Sequence, residues 1–381
     1  MKVLHINDKI ENSGGVEVYI HQLLELSPEY GLDADLLAIK REEGKLQGLT
    51  QGGAVVTEIE HDDLAEFVSQ YDILHLHSIS DPDLIKYLSK LKPLIRSMHE
   101  PRMICPGSGK FLRKSEKVCQ KPFGLHCFYQ AYKEGCCNRH PKRLIPAYQN
   151  TAFEVKYAHQ VYRKVLVMSE YMREEAIKAG IPKDVLNLNP YFSSTKIESK
   201  KKTMNNGTKK LLFVGRLIRH KGVHYAINAV EKLLRQGVDV YLDIIGEGVD
   251  KDEFKCLVHD LGVGQFVNFS GWKTQKDVLA AMLQADIVLV PSIYPEAFGI
   301  VGLEAMAKGQ PVVGFDVGGI SQWLTPKVGA LVKGISNDDF AEGIISVLND
   351  TTQYDGQSEF RKKYMPVYHI EALKKMYKDC I

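Results

Sequence analysis

The segment 285–319, ADIVLVPSIYPEAFGIVGLEAMAKGQPVVGFDVGG, holds a strand, a loop, a helix and a second strand in close succession. Its first apolar run ends at Pro291 and Ser292, and a short loop carries Glu296. The pattern predicts a helix from about Phe298 to Lys308, with Gly309 as its stop. PVVGF then opens another apolar strand. Strand, helix and strand in that order form the repeating unit of a parallel sheet with helical crossovers. Glu296 falls just before the predicted helix and Glu304 more than a turn inside it. Two carboxylates so placed reach different hydroxyl-bearing parts of one extended ligand. The N–H groups of Phe298, Gly299 and Ile300, at the positive end of the helix, offer donors to a phosphate.

Outward from this segment the same rhythm fills the chain. In the second half LLFVGRL, VYLDIIG, FVNFSG and GALVK read as strands, and VHYAINAVEKLLRQG as a helix closed by Gly237. In the first half KVLHIN, DILHLHS, PLIRSMH and VLVMS alternate with amphipathic runs such as VEVYIHQLLEL and EYMREEAIKAG. Between the halves KIESKKKTMNNGTKK, residues 196–210, is almost free of apolar residues and reads as a linker. The expected architecture is α/β: two Rossmann-like, doubly wound domains facing across a cleft, 1–195 and 211–357, with a cysteine-bearing insert at about 102–143. In such sheets ligands bind at the carboxyl ends of the strands. The length of 381 residues suits two domains, and 44% apolar with 25% charged residues is the composition of a soluble globular protein. No apolar run reaches bilayer length, and MKVLHIND lacks a signal-peptide core, so a cytoplasmic chain is expected. A net charge of +2 argues against a general nucleic-acid-binding role.

With its PS, FGI, LEAMA, G-x-PVV and GG all in order, segment 285–319 resembles the signature of the large retaining glycosyltransferase family with paired glutamates and a GT-B fold, the glycosyl transferases of group 1 or family 4. The resemblance implies a UDP- or GDP-sugar donor, with Glu296 on sugar hydroxyls and Glu304 on the ribose. FVGRLIRHKG adds Arg216 after a strand and Lys221 at the entrance of the next helix, two cations able to converge on a diphosphate. In the family these neutralise the departing nucleoside diphosphate, a transition-state effect. The resemblance therefore implies chemistry that needs neither metal nor cofactor. Gly14 and Gly15, between the first strand and the first helix, match the family's Gly-Gly loop facing the donor, and His99 after the third strand matches a histidine on the donor sugar. His75 and His77 are an alternating pair, one of which should point into a core. Retention, with front-face attack by the acceptor hydroxyl, follows from the resemblance alone. The tail, 358–381, reads as an amphipathic helix that in the family crosses back to the first domain.

The insert is less specific. Cys105, Cys119, Cys127, Cys136 and Cys137 lie close together in sequence, without a Cys-x-x-Cys pair. Three readings stand: a structural zinc on four of the thiols, such as Cys105, Cys119, Cys127 and Cys136, with His126 or His140 as substitutes; disulfides; or unligated thiols. From Lys92 to Arg143 twelve Lys or Arg face three Glu, and Phe111, Phe123, Phe128, Tyr129 and Tyr132 are interspersed. Basic and aromatic side chains together suit an anionic glycan, a lipid-linked acceptor or an anionic membrane surface, and a solvated charged loop is the plain alternative. The enzyme reading, with a role in bacterial cell-envelope, capsule or exopolysaccharide synthesis, competes with a GT-B-like scaffold that binds glycan or lipid without catalysis, and with GT-B enzymes of other reactions.

Overall fold

The computed structural model describes residues 1–8, 14–39, 46–49, 55–59, 63–198, 207–350 and 354–381. The chain divides into two compact units: unit 1 comprises 1–115, 119–191 and 366–381, and unit 2 comprises 116–118 and 192–365.

The first part of the chain runs β1 (Lys2–Asn7), α1 (Gly15–Leu26), β2 (Asp33–Ile39), β3 (Leu46–Leu49), β4 (Val55–Ile59), α2 (Leu64–Ser69), β5 (Ile73–Leu76), α3 (Pro82–Leu91) and β6 (Leu94–Met98). The insert follows with β7 (Phe111–Leu112), β8 (Lys117–Val118), α4 (His126–Glu134) and the long α5 (Pro141–Val161), before β9 (Lys164–Val167), α6 (Glu170–Ala179) and β10 (Leu186–Leu188). Eight strands form one sheet in the order β10-β9-β6-β5-β1-β2-β3-β4. All its pairings are parallel except β2 with β3 and β3 with β4. Those two antiparallel additions were not foreseen, because LQGL and VVTEI are short and lie beside polar, glycine-bearing sequence. Helix starts follow local chemistry: Ser169 caps α6 by accepting from the Met172 N–H, and Asp81 caps α3.

Unit 2 runs β11 (Lys209–Val214), α7 (Val223–Arg235), β12 (Val240–Ile245), α8 (Lys251–Asp260), β13 (Val267–Gly271), α9 (Gln275–Gln284), β14 (Ile287–Val290), α10 (Ile300–Ala307), β15 (Val312–Phe315), β16 (Gly329–Val332), α11 (Asn337–Asn349) and α12 (Gly356–Lys363). Its six strands are all parallel, in the order β13-β12-β11-β14-β15-β16. That is the doubly wound order, with its topological switch point between β11 and β14. The spacing of apolar residues in α7 buries Val223, Ala226, Ile227, Val230 and Leu233, and each large aliphatic so buried contributes roughly 1.5–3 kcal/mol.

Residues 199–206 of the predicted linker lie outside the described residues. Its start is anchored on unit 2: the Lys308 ammonium, nearly buried, donates to the Lys196 carbonyl and pairs with Glu198 at 2.6 Å. The last helix, α13 (Pro366–Lys378), packs in unit 1, burying Ile370, Leu373, Met376 and Tyr377. Among the described residues no helix is long and apolar enough to cross a membrane.

Candidate active site

In unit 2 the functional side chains gather at the carboxyl ends of β11 and β14. After β11 the chain passes Gly215 and the exposed Arg216 and makes a single 3-10 turn, Arg219–Lys221. That turn is held to the end of β14, because the N–H groups of Ile293 and Tyr294 donate to the His220 carbonyl at 3.1 and 3.3 Å. Lys221 is thereby set against Glu296, its ammonium 2.5 Å from Oε1. The Ser292 hydroxyl donates to the same oxygen at 2.8 Å, and the Gly319 N–H donates to the Glu296 carbonyl at 2.7 Å. Burial alone would raise the Glu296 carboxyl, but the Lys221 ammonium, with help from Ser292 and His220, holds it below the usual carboxylate range. Glu296 is therefore an ionised, oriented acceptor. Among the described residues Arg216 makes no ion pair, so its guanidinium is available to an anion.

The predicted helix from Phe298 to Lys308 begins later. Gly299 adopts a left-handed conformation, φ 97°, and caps α10, which starts at Ile300. Of the three N–H groups expected at the helix end, Ile300's belongs to its first turn. Phe298 serves the core instead: its ring packs against Tyr364 and its carbonyl accepts from the Trp323 indole N–H at 2.6 Å. Glu304 lies inside α10, 8% exposed, and accepts from the Gln275 amide at 2.5 Å. Burial, opposed only by Gln275, pushes its carboxyl up to about 7. The two glutamates thus differ in charge at neutral pH because one has a cation and the other has an amide. Gln275 was not singled out from sequence, and Ser292 was read only as the end of a strand within the PS motif.

In unit 1 Gly14 is the N-cap of α1 and supplies no side-chain cap to the helix's first N–H groups. His99 follows β6 and is buried. Both of its ring nitrogens are engaged: Nε2 with His77 Nδ1 at 2.8 Å, and Nδ1 with the Tyr191 hydroxyl. His77 Nε2 continues the chain to His5 Nδ1 at 2.9 Å. His75 stacks on His77 and bonds Tyr377 and Ser97. His369 on α13 bonds the Tyr19 hydroxyl at 2.7 Å and the Pro190 carbonyl. Both His75 and His77 are therefore interior, where one of the pair was expected inside. Burial, then Arg96 and neighbouring histidines, lowers His99 to about 3, and burial lowers His5 and His369 to about 4. A neutral imidazole donates once and accepts once, so the Tyr191–His99–His77–His5 chain runs in a single sense. His99 acts here as a fixed neutral ring, not as a cation.

Beside β1 and β5, at their carboxyl ends, unit 1 holds a cavity of about 520 Å³ lined by Asp8, Ser78, Ser80, Asp81, Arg102 and Asn150 among others. The basic excess between Lys92 and Arg143 is smaller at the surface than its composition implies, because Arg96 and Lys110 are buried beside Glu154 and Glu175. Phe111 is buried, and Phe123 and Phe128 pack on Tyr148. Leu125, Tyr129 and Tyr132 are 78, 63 and 53% exposed and, at i, i+4 and i+7, form one stripe along α4. Exposed Lys133, Arg139, Lys142 and Arg143 lie near it in sequence. The five insert cysteines are free, and with His126 they line a second, small cavity; His140 caps α5 instead.

Residues 194–364 match the family described as Glycosyl transferases group 1. The chain is 33% identical over 201 residues to an uncharacterized glycosyltransferase of Methanocaldococcus jannaschii, covering 49% of this chain and 51% of that protein. It is 35% identical over 150 residues to the D-inositol 3-phosphate glycosyltransferase of Corynebacterium aurimucosum, covering 38% of this chain and 35% of that one. The chain thus spans about half, or less, of the length of these curated relatives. HepE of Anabaena, solved with UDP, superposes over 100% of both chains with a TM-score of 0.68 at 17% identity, and its complex with UDP-glucose gives 0.69 at 16%. At that identity the likeness shows the fold, which is GT-B.

Proposed function

We propose, from the premise that residues 194–364 form a domain of the Glycosyl transferases group 1 family, that this protein is a retaining glycosyltransferase. It moves a hexose or N-acetylhexosamine from a UDP- or GDP-sugar to a glycan or lipid-linked acceptor. The observation that carries the reading is the Lys221–Glu296 pair at the switch point of unit 2, held by Ser292 and the backbone of Ile293 and Tyr294, with Arg216 exposed between β11 and that turn. In this reading Lys221 and Arg216 meet the diphosphate and offset the charge that grows on it as the glycosidic bond breaks, a role that needs no metal. The ionised Glu296 orients sugar hydroxyls, Glu304 takes the ribose, and the Ile300 N–H turns toward phosphate. Gly14, Gly15 and His99 are the remaining donor-sugar residues of this reading. The acceptor hydroxyl attacks from the face that the phosphate leaves, and the phosphate oxygen takes its proton.

The acceptor side is read from unit 1. The cavity lined by Asp8, Ser78, Ser80, Asp81, Arg102 and Asn150 offers hydroxyls, amide and charges suited to a polyhydroxylated group. The α4 stripe and its basic neighbours suit the inner face of a bacterial membrane, where envelope, capsule or exopolysaccharide precursors are built. UDP in one neighbour's complex makes uridine donors the first to screen.

A thermal-shift screen of UDP- and GDP-sugars identifies the donor, because a ligand bound to the native state raises the melting temperature by mass action. Donor hydrolysis and transfer then test turnover. Glu296→Ala, and Arg216→Ala with Lys221→Ala, should each lower kcat by about 100-fold or more, in the range of lost transition-state donors. Near-normal transfer by folded variants would overturn the site, and donor binding without any turnover would make the protein a scaffold.

A further inference from the structure

The insert's thiols, carried on separate loops, line one small cavity. Cys105, Cys119, Cys127, Cys136 and Cys137 line a cavity of about 30 Å³, room for a single small ion or water. The loop Cys105–Lys110 wraps the first of them: backbone N–H groups of Gly107, Gly109 and Lys110 all donate to the Cys105 sulfur. Ser108 and Lys110 take left-handed φ of 59° and 47° to make the wrap, a conformation that non-glycine residues hold only where surroundings fix it. The loop is tied to the other cysteines directly. A Cβ on Gly107 would lie 2.1 Å from the Cys136 carbonyl oxygen, so only glycine permits that approach. The Cys119 N–H donates to the Lys110 carbonyl at 2.6 Å. Cys137 is otherwise occupied, its thiol donating to the Pro106 carbonyl at 3.3 Å.

We propose that Cys105, Cys119, Cys127 and Cys136 bind one zinc-type divalent cation through four sulfurs, a structural site that fastens the insert to unit 1. The nearly buried Lys110, on the loop that follows Cys105, ties that loop to the Lys121 carbonyl and pairs with Glu175, so the cage is fastened to unit 1. Binding displaces the thiol protons and draws the loops inward to sulfur–metal distances of about 2.3 Å. The metal-ligating groups that already stand within 4.8 Å of one another, among the described residues, are His5, His75 and His77. Both nitrogens of His75 and of His77 are spent on hydrogen bonds, so that trio is a hydrogen-bonded stack and the thiols are the site.

The test is metal analysis of the full chain, expressed with zinc and purified under reducing conditions without chelator. One zinc per chain is expected, lost in Cys119→Ser and Cys136→Ser and kept in Cys137→Ser. Cobalt(II) added to the metal-stripped native sequence should give the visible bands of tetrahedral cobalt with sulfur-to-metal charge transfer, a readout that does not depend on any variant folding. The proposal is overturned by a metal-free chain whose insert thiols all react in the native state, or by an intact mass lowered by the hydrogens of disulfides. Metal retained in Cys136→Ser but lost in Cys137→Ser would overturn the ligand set. None of these readouts depends on transferase activity.

Discussion

Glu296 and Glu304 show what a partner does to a carboxylate. The Glu304 carboxyl stands at about 7 against an ordinary 4.5, because it is buried with only the Gln275 amide beside it. Between those values the native state holds a proton that the unfolded chain has released. Stability therefore falls as pH rises from 4.5 through 7, by about 3 kcal/mol for this group. Glu304→Gln keeps the acceptor for Gln275 and removes the titration, so its melting temperature should lose that downward slope and exceed the native sequence's at pH 8. Parallel melting curves from pH 5 to 8 would refute the assignment. A ribose donating to the carboxylate draws its pKa down, so UDP binding at pH 6 should release more protons from the native sequence than from Glu304→Gln. Calorimetry in buffers of different ionisation enthalpy reads that difference. Sequence spacing was enough to pick out both glutamates. It was silent on their different protonation, because Lys221 and Gln275 reach them from 75 and 29 residues away.

At the scale of elements, the turn after β11 is where two strands' ends become one site. Gly222 has φ 76°, and a Cβ there would lie 1.7 Å from the Pro291 carbonyl oxygen. Gly237 has the same left-handed conformation, φ 78°, with nothing within 4 Å. Gly237→Ala should cost only the conformational penalty, about 1–2 kcal/mol. Gly222→Ala adds a collision with backbone and should be clearly more destabilising, with Lys221 pushed off Glu296 and turnover lost. Equal losses of melting temperature in the two variants would show that the close approach is unimportant. The alternation of strand and helix was legible because buried parallel strands are continuous apolar runs. The start of α10 was not, since Phe298 continues the apolar pattern while the chain turns left-handed at Gly299. Nor was the strand order, which depends on pairings between residues far apart in sequence.

For the whole molecule, the two units carry different responses to acid. Unit 1 keeps five histidines neutral in its interior, His5, His75, His77, His99 and His369, all lowered by burial first. An unfolded histidine titrates near 6.5, so below that pH the unfolded chain binds protons that the native unit refuses. The stability of unit 1 is full above 6.5 and is lost as pH falls toward the folded values of about 4 for His5 and His369 and about 3 for His99. At pH 5.5 each such group costs about 1.4 kcal/mol, so these three together cost roughly 4. Glu154, raised by burial, opposes them as a single group. In unit 2 His224, lowered to about 4, stands against Glu304, which gains stability over the same interval. Acid should therefore open unit 1 first. The chain's two tryptophans, Trp272 and Trp323, both lie in unit 2, so their fluorescence follows that unit alone while far-ultraviolet circular dichroism follows both. On lowering the pH from 8 to 5 in mild urea, the dichroism should fall by a large fraction before the tryptophan emission shifts. His77→Phe with His99→Phe, if folded, should narrow the interval between the two transitions. Coincident transitions in the native sequence would show that the buried histidines do not set the acid limit of unit 1.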